Sequence, residues 1–390
     1  MTELPTHGVE RCGPERTPDQ NQSQNQNQML TRSHTLDFDC DCATVGEEGA
    51  WPAAPPTVPS VYALELTAAC NSRCAGCGNV FSPHRASVPL RSVSPPMSPD
   101  QWAQVLDIIA PHARRLKLTG GEPTCHPHFA AIVAAIQQRR IPFTLFTNGR
   151  WNDTESLIAL LQRTPECVGV LVSLHGAEAQ AHEAFTGVPG SFAETVANLR
   201  RAAHAGLPIH TSTVITRQNA PQVEALVHLS RSIGAGWSVF NRFIGRPVPH
   251  LTPTRAAFLQ AIRTVERLAG DGYPTRIGTV LPHCGVSVSV SVEGCLAGTA
   301  CATIDPWGNV RPCNHAPQTA GNLLTTPLAA IWRSPTMEAW RGLVPEPCRA
   351  CSAFAQCGGG CRAEAVLNQC EGDPLMQARE VGRETQGHTS

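Results

Sequence analysis

The amino-acid sequence predicts an α/β fold, a partial (β/α)6 barrel followed by a cysteine-rich C-terminal domain. From residue 61 onward, apolar strand-like runs alternate six times with amphipathic segments of helical length, as in a parallel sheet covered by helices. Short motifs of cysteine, glycine and polar residues directly follow these strand-like runs. Nine cysteines then lie between residues 284 and 370, which indicates a second domain of different character.

The predicted strands are short apolar runs bounded by turn residues. They are Val61–Leu66, Arg115–Leu118, Pro142–Phe146, Val168–Leu174, Ile209–Ile215 and Gly236–Phe240. The predicted helices occupy the intervals between and after them, at Pro99–Ala110, Pro127–Arg139, Asp153–Gln162, Ser191–Ala205, Ala220–Ser232 and Thr252–Ala269. In barrels of this kind the chemistry collects at the carboxyl ends of the strands. We therefore expect the motifs that follow the strands to meet at one end of the fold.

Composition limits the function classes. A chain of 390 residues has room for two or three domains, and its net charge of −1 gives no electrostatic reason to expect a nucleic acid or a membrane surface as partner. The N-terminus lacks the basic and apolar regions of a signal peptide, and no uncharged apolar run is long enough to span a bilayer. We expect a cytoplasmic protein, in which seventeen cysteines indicate metal binding rather than disulfides.

The chain divides by composition into four parts. Residues 1–57 contain a Gln/Asn-rich stretch at 20–28 and a Pro-rich stretch at 51–56, and we expect them to form a disordered arm in which Cys40 and Cys42 are inert. The predicted barrel domain covers residues 58–280, the cysteine-rich domain covers 281–375, and 376–390 form a tail. Within the second domain, Val286–Val292 alternates with period two and is predicted to be a half-exposed strand.

Three clustered cysteines follow the first predicted strand. Cys70, Cys74 and Cys77 have C-x3-C-x2-C spacing, and three thiols cannot be paired off as disulfides. Thiolates are soft ligands that suit zinc or iron–sulfur clusters. On a four-iron cluster with one thiolate per iron, three thiolates leave one iron open, which is the condition for binding a substrate at a metal. From this loop alone, a zinc site that takes a distant fourth ligand is the alternative.

Polar and glycine-rich turns follow the next three strands. Gly120, Gly121, Glu122 and Pro123 come after the second strand, and glycines permit a close approach of the backbone to a ligand. Thr147-Asn148-Gly149 follows the third strand, while Ser173 and His175 close the fourth. Each of these is a weak signal alone, and a single histidine is more often structural than catalytic.

The cysteine loop and the Gly-Gly-Glu-Pro turn together resemble the radical S-adenosylmethionine (SAM) enzymes, whose fold is a TIM-like partial barrel. The resemblance implies a [4Fe-4S] cluster whose open iron chelates the amino and carboxylate groups of SAM. It implies that the Gly-Gly-Glu-Pro turn receives the SAM ammonium, and that Asn148 and Ser173 contact its ribose or carboxylate. Gly76 departs from the family pattern, which has a large residue beside the adenine, and Phe81 is the candidate to replace it.

The C-terminal cysteines resemble the SPASM domain at every spacing. The pattern runs through Cys295, Gly308, Cys313, Cys348, Cys351, Cys357, Cys361 and Cys370, and Cys301 supplies an eighth thiol. The resemblance implies two auxiliary [4Fe-4S] clusters, and hence three clusters in total. The first auxiliary site would consist of Cys295, Cys301, Cys313 and Cys361, and the second auxiliary site of Cys348, Cys351, Cys357 and Cys370. A pair of zinc sites with the same spacing is the alternative.

The two resemblances imply a maturase that cleaves SAM reductively to a 5′-deoxyadenosyl radical and modifies a ribosomally made peptide by hydrogen abstraction. The sequence around Cys77-Gly78-Asn79-Val80-Phe81 is similar to maturases of peptides with Nif11-type leaders. The implied partners are a precursor peptide, an electron donor such as flavodoxin or ferredoxin, and possibly a separate leader-binding protein.

Two alternatives remain. Sulfatase-type maturation of a protein side chain, or assembly of a redox cofactor, is the second enzyme interpretation, but related sulfatase maturases have Asp where this chain has Asn314. Asparagine cannot act as that base, and His315, with an ordinary pKa near neutrality, is the candidate in its place. An electron carrier would leave the cysteine loop and the Gly-Gly-Glu-Pro turn without a purpose.

Overall fold

A computed structural model describes residues 57–82, 95–286 and 294–376. Most of the predicted arm and tail, and the predicted strand Val286–Val292 beyond its first residue, lie outside the described residues, as do Cys12, Cys40 and Cys42. The division of the chain at residue 280 stays a prediction.

Within the described ranges the strands form a 10-stranded sheet in the order β10-β9-β8-β1-β2-β3-β4-β5-β6-β7. The seven strands from β1 to β7 are parallel neighbours, and β8 pairs in parallel with the other edge of β1. The strands are β1 Val61–Glu65, β2 Arg115–Thr119, β3 Phe143–Thr147, β4 Cys167–Ser173, β5 Ile209–Val214, β6 Ser238–Asn241, β7 Thr275–Ile277, β8 Cys301–Ile304, β9 Asn309–Arg311 and β10 Gly321–Asn322.

Helices connect the parallel strands, and short helices fill the C-terminal region. In the barrel they are α1 Pro99–Ile109, α2 Phe129–Gln138, α3 Thr154–Gln162, α4 Ala179–Thr186, α5 Ser191–His204, α6 Val223–Ile233 and α7 Arg255–Gly270. In the C-terminal region they are α8 Leu328–Trp332, α9 Pro335–Arg341, α10 Glu346–Arg349, α11 Phe354–Cys357 and α12 Arg362–Leu367.

The predicted α/β class is confirmed, and each of the six predicted strands and helices is present within a few residues of its expected bounds. Within the barrel two elements were missed, and the strands and short helices of the C-terminal region were not predicted individually. Helix α4 is only 8 residues long and has no side-chain hydrogen bond at its N-cap, and β7 has 3 residues. Elements this short carry too few periodic positions to be recognised in sequence.

The alternation along β1 separates two faces of the sheet. Tyr62 and Leu64 are fully buried on the outer face, in the same core as Trp102 of α1. Burying each such side chain contributes roughly 1.5–3 kcal/mol. The inner face carries Ala63, which lies beside Lys117 of β2, so the polar residues of the strands face the interior of the partial barrel.

The C-terminal region continues the barrel sheet. Val61 lies opposite Cys301 and Ala63 opposite Thr303, so β8 places a cysteine of the first auxiliary site on the inner face of the sheet. A buried ion pair joins Arg311 of β9 to Glu65 of β1, and another joins Arg242, after β6, to Asp373 at 2.6 Å. Backbone pairing and buried charges thus fix the auxiliary sites relative to the barrel.

Among the residues that the structure describes, we find no helix of sufficient length and apolar character to cross a membrane.

Candidate active site

The cysteine loop, residues 70 to 77, lies at the carboxyl end of β1, as the sequence predicts. Cys70 lies at the surface, and Cys74 and Cys77 are partly buried. The loop closes on itself through a hydrogen bond from Cys77 N to the carbonyl of Cys74 at 3.1 Å. The loop therefore forms a turn in which one cysteine is exposed and two are partly buried.

Gly120 and Gly121 pack against the backbone that leads into this loop. Gly121 N donates to the Thr67 carbonyl at 2.6 Å, and Glu122 N donates to the Ala69 carbonyl at 2.8 Å. A Cβ on Gly121 would lie 2.2 Å from the Ala69 carbonyl oxygen, and one on Gly120 would lie 2.5 Å from that of Thr67. The sequence suggested that these glycines make room for a ligand. The structure shows that they make room for the neighbouring backbone.

Glu122 is buried at the centre of the turns that follow β2 and β3. Its Oε1 accepts from the Thr124 and Thr147 hydroxyls at 2.6 and 2.8 Å, and its Oε2 accepts from Asn148 N at 2.7 Å. Burial raises the pKa of this carboxyl, and these hydrogen bonds act in the opposite direction. Oε2 accepts one of these bonds, so it retains a lone pair for a further donor.

Asn148 and Arg150 hold the cysteine loop from the end of β3. The Asn148 amide donates to Asn71 Oδ1 at 2.6 Å and lies 3.8 Å from the Cys70 sulfur. Arg150 donates to the Asn71 carbonyl and pairs with Glu194 at 2.7 Å. Asn148, predicted to contact SAM, is therefore in contact with the cysteine loop.

The C-terminus of α4 supports the loop from the opposite side. Arg73 N donates to the Thr186 carbonyl at 2.9 Å, and Ala75 N donates to the Phe185 carbonyl at 3.1 Å. Gly187 follows with a φ of 68°, and a Cβ there would lie 2.8 Å from the Arg73 carbonyl oxygen. A helix that the sequence did not predict thus positions the cysteines.

Two aromatic residues that sequence reasoning missed lie against Gly76. A Cβ on Gly76 would lie 2.7 Å from the Phe243 ring and 2.8 Å from the Phe185 ring. The space that a large side chain fills in the family pattern is therefore occupied by rings from elsewhere in the chain. The only signal in the sequence is Gly76 itself, because a missing side chain calls for a replacement from another element.

Phe81, predicted to substitute for that side chain, is almost fully buried and packs on other groups. Its ring meets Trp307 edge to face at 5.0 Å, and the Arg311 guanidinium lies 5.2 Å from its centroid. Its role beside an adenine stays a prediction.

Ser173 ends β4, and His175 lies two residues beyond it, in a different environment. Ser173 lies opposite Ser212 of β5, whose hydroxyl accepts from Asn241 of β6 at 2.9 Å, so polar side chains end three adjacent strands. His175 is buried against Phe185, and its Nδ1 accepts from Val214 N at 3.2 Å. Burial, with the nearby His182, lowers the pKa of His175 to about 3. The structure supports the structural interpretation of His175.

His315 links the first auxiliary site to the cysteine loop. Its Nδ1 lies 3.0 Å from the carbonyl oxygen of Gly78, the residue after Cys77. A carbonyl only accepts, so Nδ1 carries the proton and Nε2 is the nitrogen that could take one up. The neighbouring Asn314 lies within hydrogen-bond reach of the Cys313 thiol, at 3.6 Å. The role of His315 as a base stays a prediction.

The cysteines of the first auxiliary site come from separate elements of the C-terminal region. Cys361 is buried in a small apolar cluster against which Cys295 and Cys313 pack, and Cys295 contributes to raising the pKa of the Cys361 thiol, after burial. Cys301 is buried at the start of β8. Its partner in an isolated bridge, Ala297, belongs to the same apolar cluster as Cys361.

The second auxiliary site is built from short helical turns. Cys348 and Cys357 are buried, Cys351 is partly buried and Cys370 is exposed. Cys351 N donates to the Cys348 carbonyl at 3.1 Å. Three consecutive glycines, 358 to 360, then take left-handed φ angles of 63°, 81° and 78°, which side chains disfavour. This turn carries the chain from Cys357 of the second site to Cys361 of the first.

The donor set fits iron–sulfur clusters. Every cysteine in the described ranges is free of a disulfide. Desolvation, with smaller contributions from Glu122 and Cys77, raises the pKa of the Cys70 thiol to about 11, so the thiols of the loop share one electrostatic environment. No three His, Cys, Asp or Glu side chains of the described residues enclose a single metal ion. The fit to a cluster, in which each thiolate binds a different iron, rests on the kind and number of donors.

Two family models match the chain. Residues 64–230 match the radical SAM superfamily, and residues 295–352 match the SPASM iron–sulfur cluster-binding domain. The two matches cover the cysteine loop, the Gly-Gly-Glu-Pro turn and the C-terminal cysteines from Cys295 to Cys351.

Two kinds of curated relative are similar over most of the chain. An AdoMet-dependent heme synthase from Methanosarcina barkeri is 27% identical over 340 residues, which are 80% of this chain and 93% of the relative. A PqqA peptide cyclase from a Methylobacterium species is 29% identical over 339 residues, which are 80% of this chain and 84% of the relative.

Solved structures share the fold. SuiB from Streptococcus suis, bound to its precursor peptide SuiA, aligns with a TM-score of 0.68 at 15% identity over 95% of this chain and 84% of SuiB. The enzyme anSMEcpe with bound AdoMet aligns with a TM-score of 0.62 at 16% identity over 78% of this chain and 89% of that chain.

Proposed function

Because this chain belongs to the radical SAM enzymes with a C-terminal SPASM domain, we propose that it cleaves SAM reductively and modifies a ribosomally made peptide by hydrogen abstraction. When bound, the reduced cluster and SAM together supply a hydrogen-abstracting radical. The proposal assigns one SAM-binding [4Fe-4S] cluster to the cysteine loop and one auxiliary [4Fe-4S] cluster to each auxiliary site.

The observation that carries the proposal is the way in which the cysteine loop is held. Side chains and backbone from the ends of β2, β3 and α4 contact the loop or the backbone that leads into it, while Cys70 stays exposed. A structural zinc site needs no such support from separate strand ends, because four ligands complete its coordination. A site that must bind a second molecule at a fixed position does need it.

The chain's own residues suit the polar groups of SAM. In the proposal, the free lone pair of Glu122 Oε2 accepts from the SAM ammonium beside the open iron. Asn148 and Ser173 contact the carboxylate or ribose, and the rings of Phe243 and Phe185 beside Gly76 provide the apolar surface for the adenine, together with or in place of Phe81.

The peptide substrate is supported by similarity to PqqA peptide cyclases and by the fold shared with SuiB, which was solved with its precursor peptide. The proposed partners are a precursor peptide, an electron donor such as flavodoxin or ferredoxin, and a separate leader-binding protein. A cytoplasmic location suits them, because thiols stay reduced there.

A second candidate substrate is a haem precursor, which the similarity to an AdoMet-dependent heme synthase favours. Sulfatase-type maturation is less well supported, because Asn314 cannot serve as the base that an aspartate would provide.

The test is anaerobic reconstitution followed by assay of 5′-deoxyadenosine with dithionite, SAM and candidate substrates. We expect iron for three clusters, and deuterium transfer from a labelled precursor peptide encoded beside this gene into 5′-deoxyadenosine. Cys74→Ala should abolish SAM cleavage, and Cys167→Ala, a buried cysteine outside every motif, is the matched control. Zinc in place of iron would overturn the cluster assignment, and turnover of a haem precursor alone would replace the peptide as substrate.

A further inference from the structure

One lysine of the barrel lies beside the first auxiliary site. Lys117 is on the inner face of β2, next to Ala63 of β1 and Thr144 of β3, and only 7% of its surface is exposed. Its Nζ lies 5.8 Å from the centroid of the Phe146 ring, a favourable contact for a cation. Lysines are rarely this buried unless the charge is paired.

The cavity next to Lys117 reaches the auxiliary cysteines. It has a volume of about 50 Å³, and its walls include Lys117, Phe146, Cys301, Cys313 and Asn314. Two of the four cysteines of the proposed first auxiliary site therefore border the same small cavity as a cation from the barrel. The pairing of β8 with β1 creates this arrangement, because it brings Cys301 onto the face that carries Lys117.

The size of the cavity decides between two uses of the charge. A space of about 50 Å³ holds only a few water molecules and is too small for an amino-acid residue of a substrate. The charge therefore acts on the thiolates that border the cavity rather than on a carboxylate of a bound peptide.

On the basis of the proposed function, which supplies the cluster, the geometry points to Lys117 as the residue that raises the reduction potential of the first auxiliary cluster. A cluster gains negative charge when it is reduced, and a buried positive charge nearby stabilises the reduced form. Lys117 would act through the cluster and not on the reacting atoms, so it is a positioning residue and not a catalytic one.

The test is a redox titration, monitored by electron paramagnetic resonance, of full-length protein reconstituted without air. A Cys348→Ala background removes the second auxiliary cluster, and the SAM cluster is identified by the change in its signal when SAM is added. We expect Lys117→Met to lower the reduced-to-oxidised ratio of the first auxiliary cluster about tenfold at a fixed potential, a midpoint about 59 mV more negative for one electron. Lys117→Arg keeps the charge and should keep the midpoint.

Arg349→Met is the matched control at the other site. Arg349 directly follows Cys348, but 61% of its side chain is exposed. Solvent screens such a charge, so in the wild-type background this variant should leave both auxiliary midpoints unchanged.

Each outcome decides the matter. Equal midpoints in wild-type and Lys117→Met protein with full iron would overturn the inference, as would equal shifts in the Met and Arg variants, because shape rather than charge would then be the cause. If Lys117→Met loses the cluster, Lys117→Gln is the second neutral variant. Cluster loss in both neutral variants but not in Lys117→Arg supports a need for the charge, and loss in all three overturns it. Absence of auxiliary clusters from the wild-type protein would instead contradict the proposed function.

Discussion

The cysteine loop of the barrel and the two proposed auxiliary sites carry the same thiol groups but differ in burial. Cys70 is exposed, and Cys74 and Cys77 are only partly buried. Four of the eight cysteines of the proposed auxiliary sites are buried, three are partly buried and Cys370 alone of the eight is exposed. A metal site that admits a second molecule must stay accessible, and a site that only retains its cluster can be closed. The difference in burial matches this division of function.

The supports of the two regions differ as well. Hydrogen bonds from Asn148, Arg150 and the α4 backbone hold the cysteine loop. Buried ion pairs hold the auxiliary region, where Arg311 pairs with Glu65 and also donates to the carbonyls of Cys313, Asn314 and Ala316. Hydrogen bonds at strand ends position a loop without enclosing it. Buried charges fix their surroundings at a cost that only complete pairing offsets.

The largest expected effect separates the roles of the cysteine loop and the auxiliary sites in catalysis. Cys74→Ala should reduce SAM cleavage to background, because it removes a ligand of the SAM-binding cluster. Cys348→Ala should abolish product but leave SAM cleavage, because the second auxiliary site is separate from the open iron. Iron content and 5′-deoxyadenosine, measured on the same preparations, check both. Loss of SAM cleavage in Cys348→Ala protein with an intact SAM cluster would contradict the division of roles.

The next effect tests the buried ion pair. Arg311→Met leaves the Glu65 carboxylate buried without its partner, and we expect the free energy of unfolding to fall by about 3–5 kcal/mol. Anaerobic urea unfolding measures it. The double variant Glu65→Met with Arg311→Met should recover most of the loss, because no unpaired charge remains.

Arg267→Met provides the exposed counterpart. Arg267 pairs with Glu224 at 2.6 Å, with both side chains half exposed, and such a pair contributes about 0–1 kcal/mol. A loss as large as that of Arg311→Met would show that burial is not what distinguishes the two pairs.

A substitution that disturbs the close backbone packing under the cysteine loop should have an intermediate effect on stability. Gly121→Ala places a Cβ 2.2 Å from the Ala69 carbonyl oxygen, so the backbone must move, and we expect about 1–3 kcal/mol of destabilisation with loss of iron from the SAM site. Gly270→Ala at the end of α7 meets no atom within 4 Å and should be neutral or stabilising. Thermal unfolding and iron analysis compare the two variants, and equal behaviour would argue against a packing role for Gly121.

Short sequence patterns predicted those features of the fold that depend on neighbouring residues. Six strands and six helices of the barrel, and the turns with Cys70, Gly121 and Asn148, could be placed from sequence, because apolar periodicity and turn residues act over a few positions. The gathering of these turns at one end followed from the general geometry of parallel barrels.

The remaining features depend on contacts distant in sequence. Glu65 and Arg311 are 246 residues apart, and nothing near either residue indicates its partner. The pairing of β8 with β1 is equally non-local, so the position of Cys301 beside Lys117 could not be expected. Phe243 could not be assigned to the space above Gly76 for the same reason.

The smallest expected effect asks whether mild acid weakens the support of the cysteine loop. His182 is a buried residue of α4, and its Nδ1 accepts from His175 N at 3.1 Å. Burial lowers its pKa to about 4, with a smaller contribution from Arg150. Its pKa in the unfolded chain is about 6.5, so stability is complete above that pH and is lost as the pH falls towards 4. Between pH 8 and pH 6, we expect this histidine alone to lower the free energy of unfolding by about 1 kcal/mol.

His182→Asn keeps an acceptor for His175 N and should remove that part of the pH dependence, measured by unfolding at both values. His228→Asn, on the half-exposed surface of α6, is the matched surface control. An unaltered slope in His182→Asn would mean that the support of the cysteine loop is no more sensitive to mild acid than the auxiliary region.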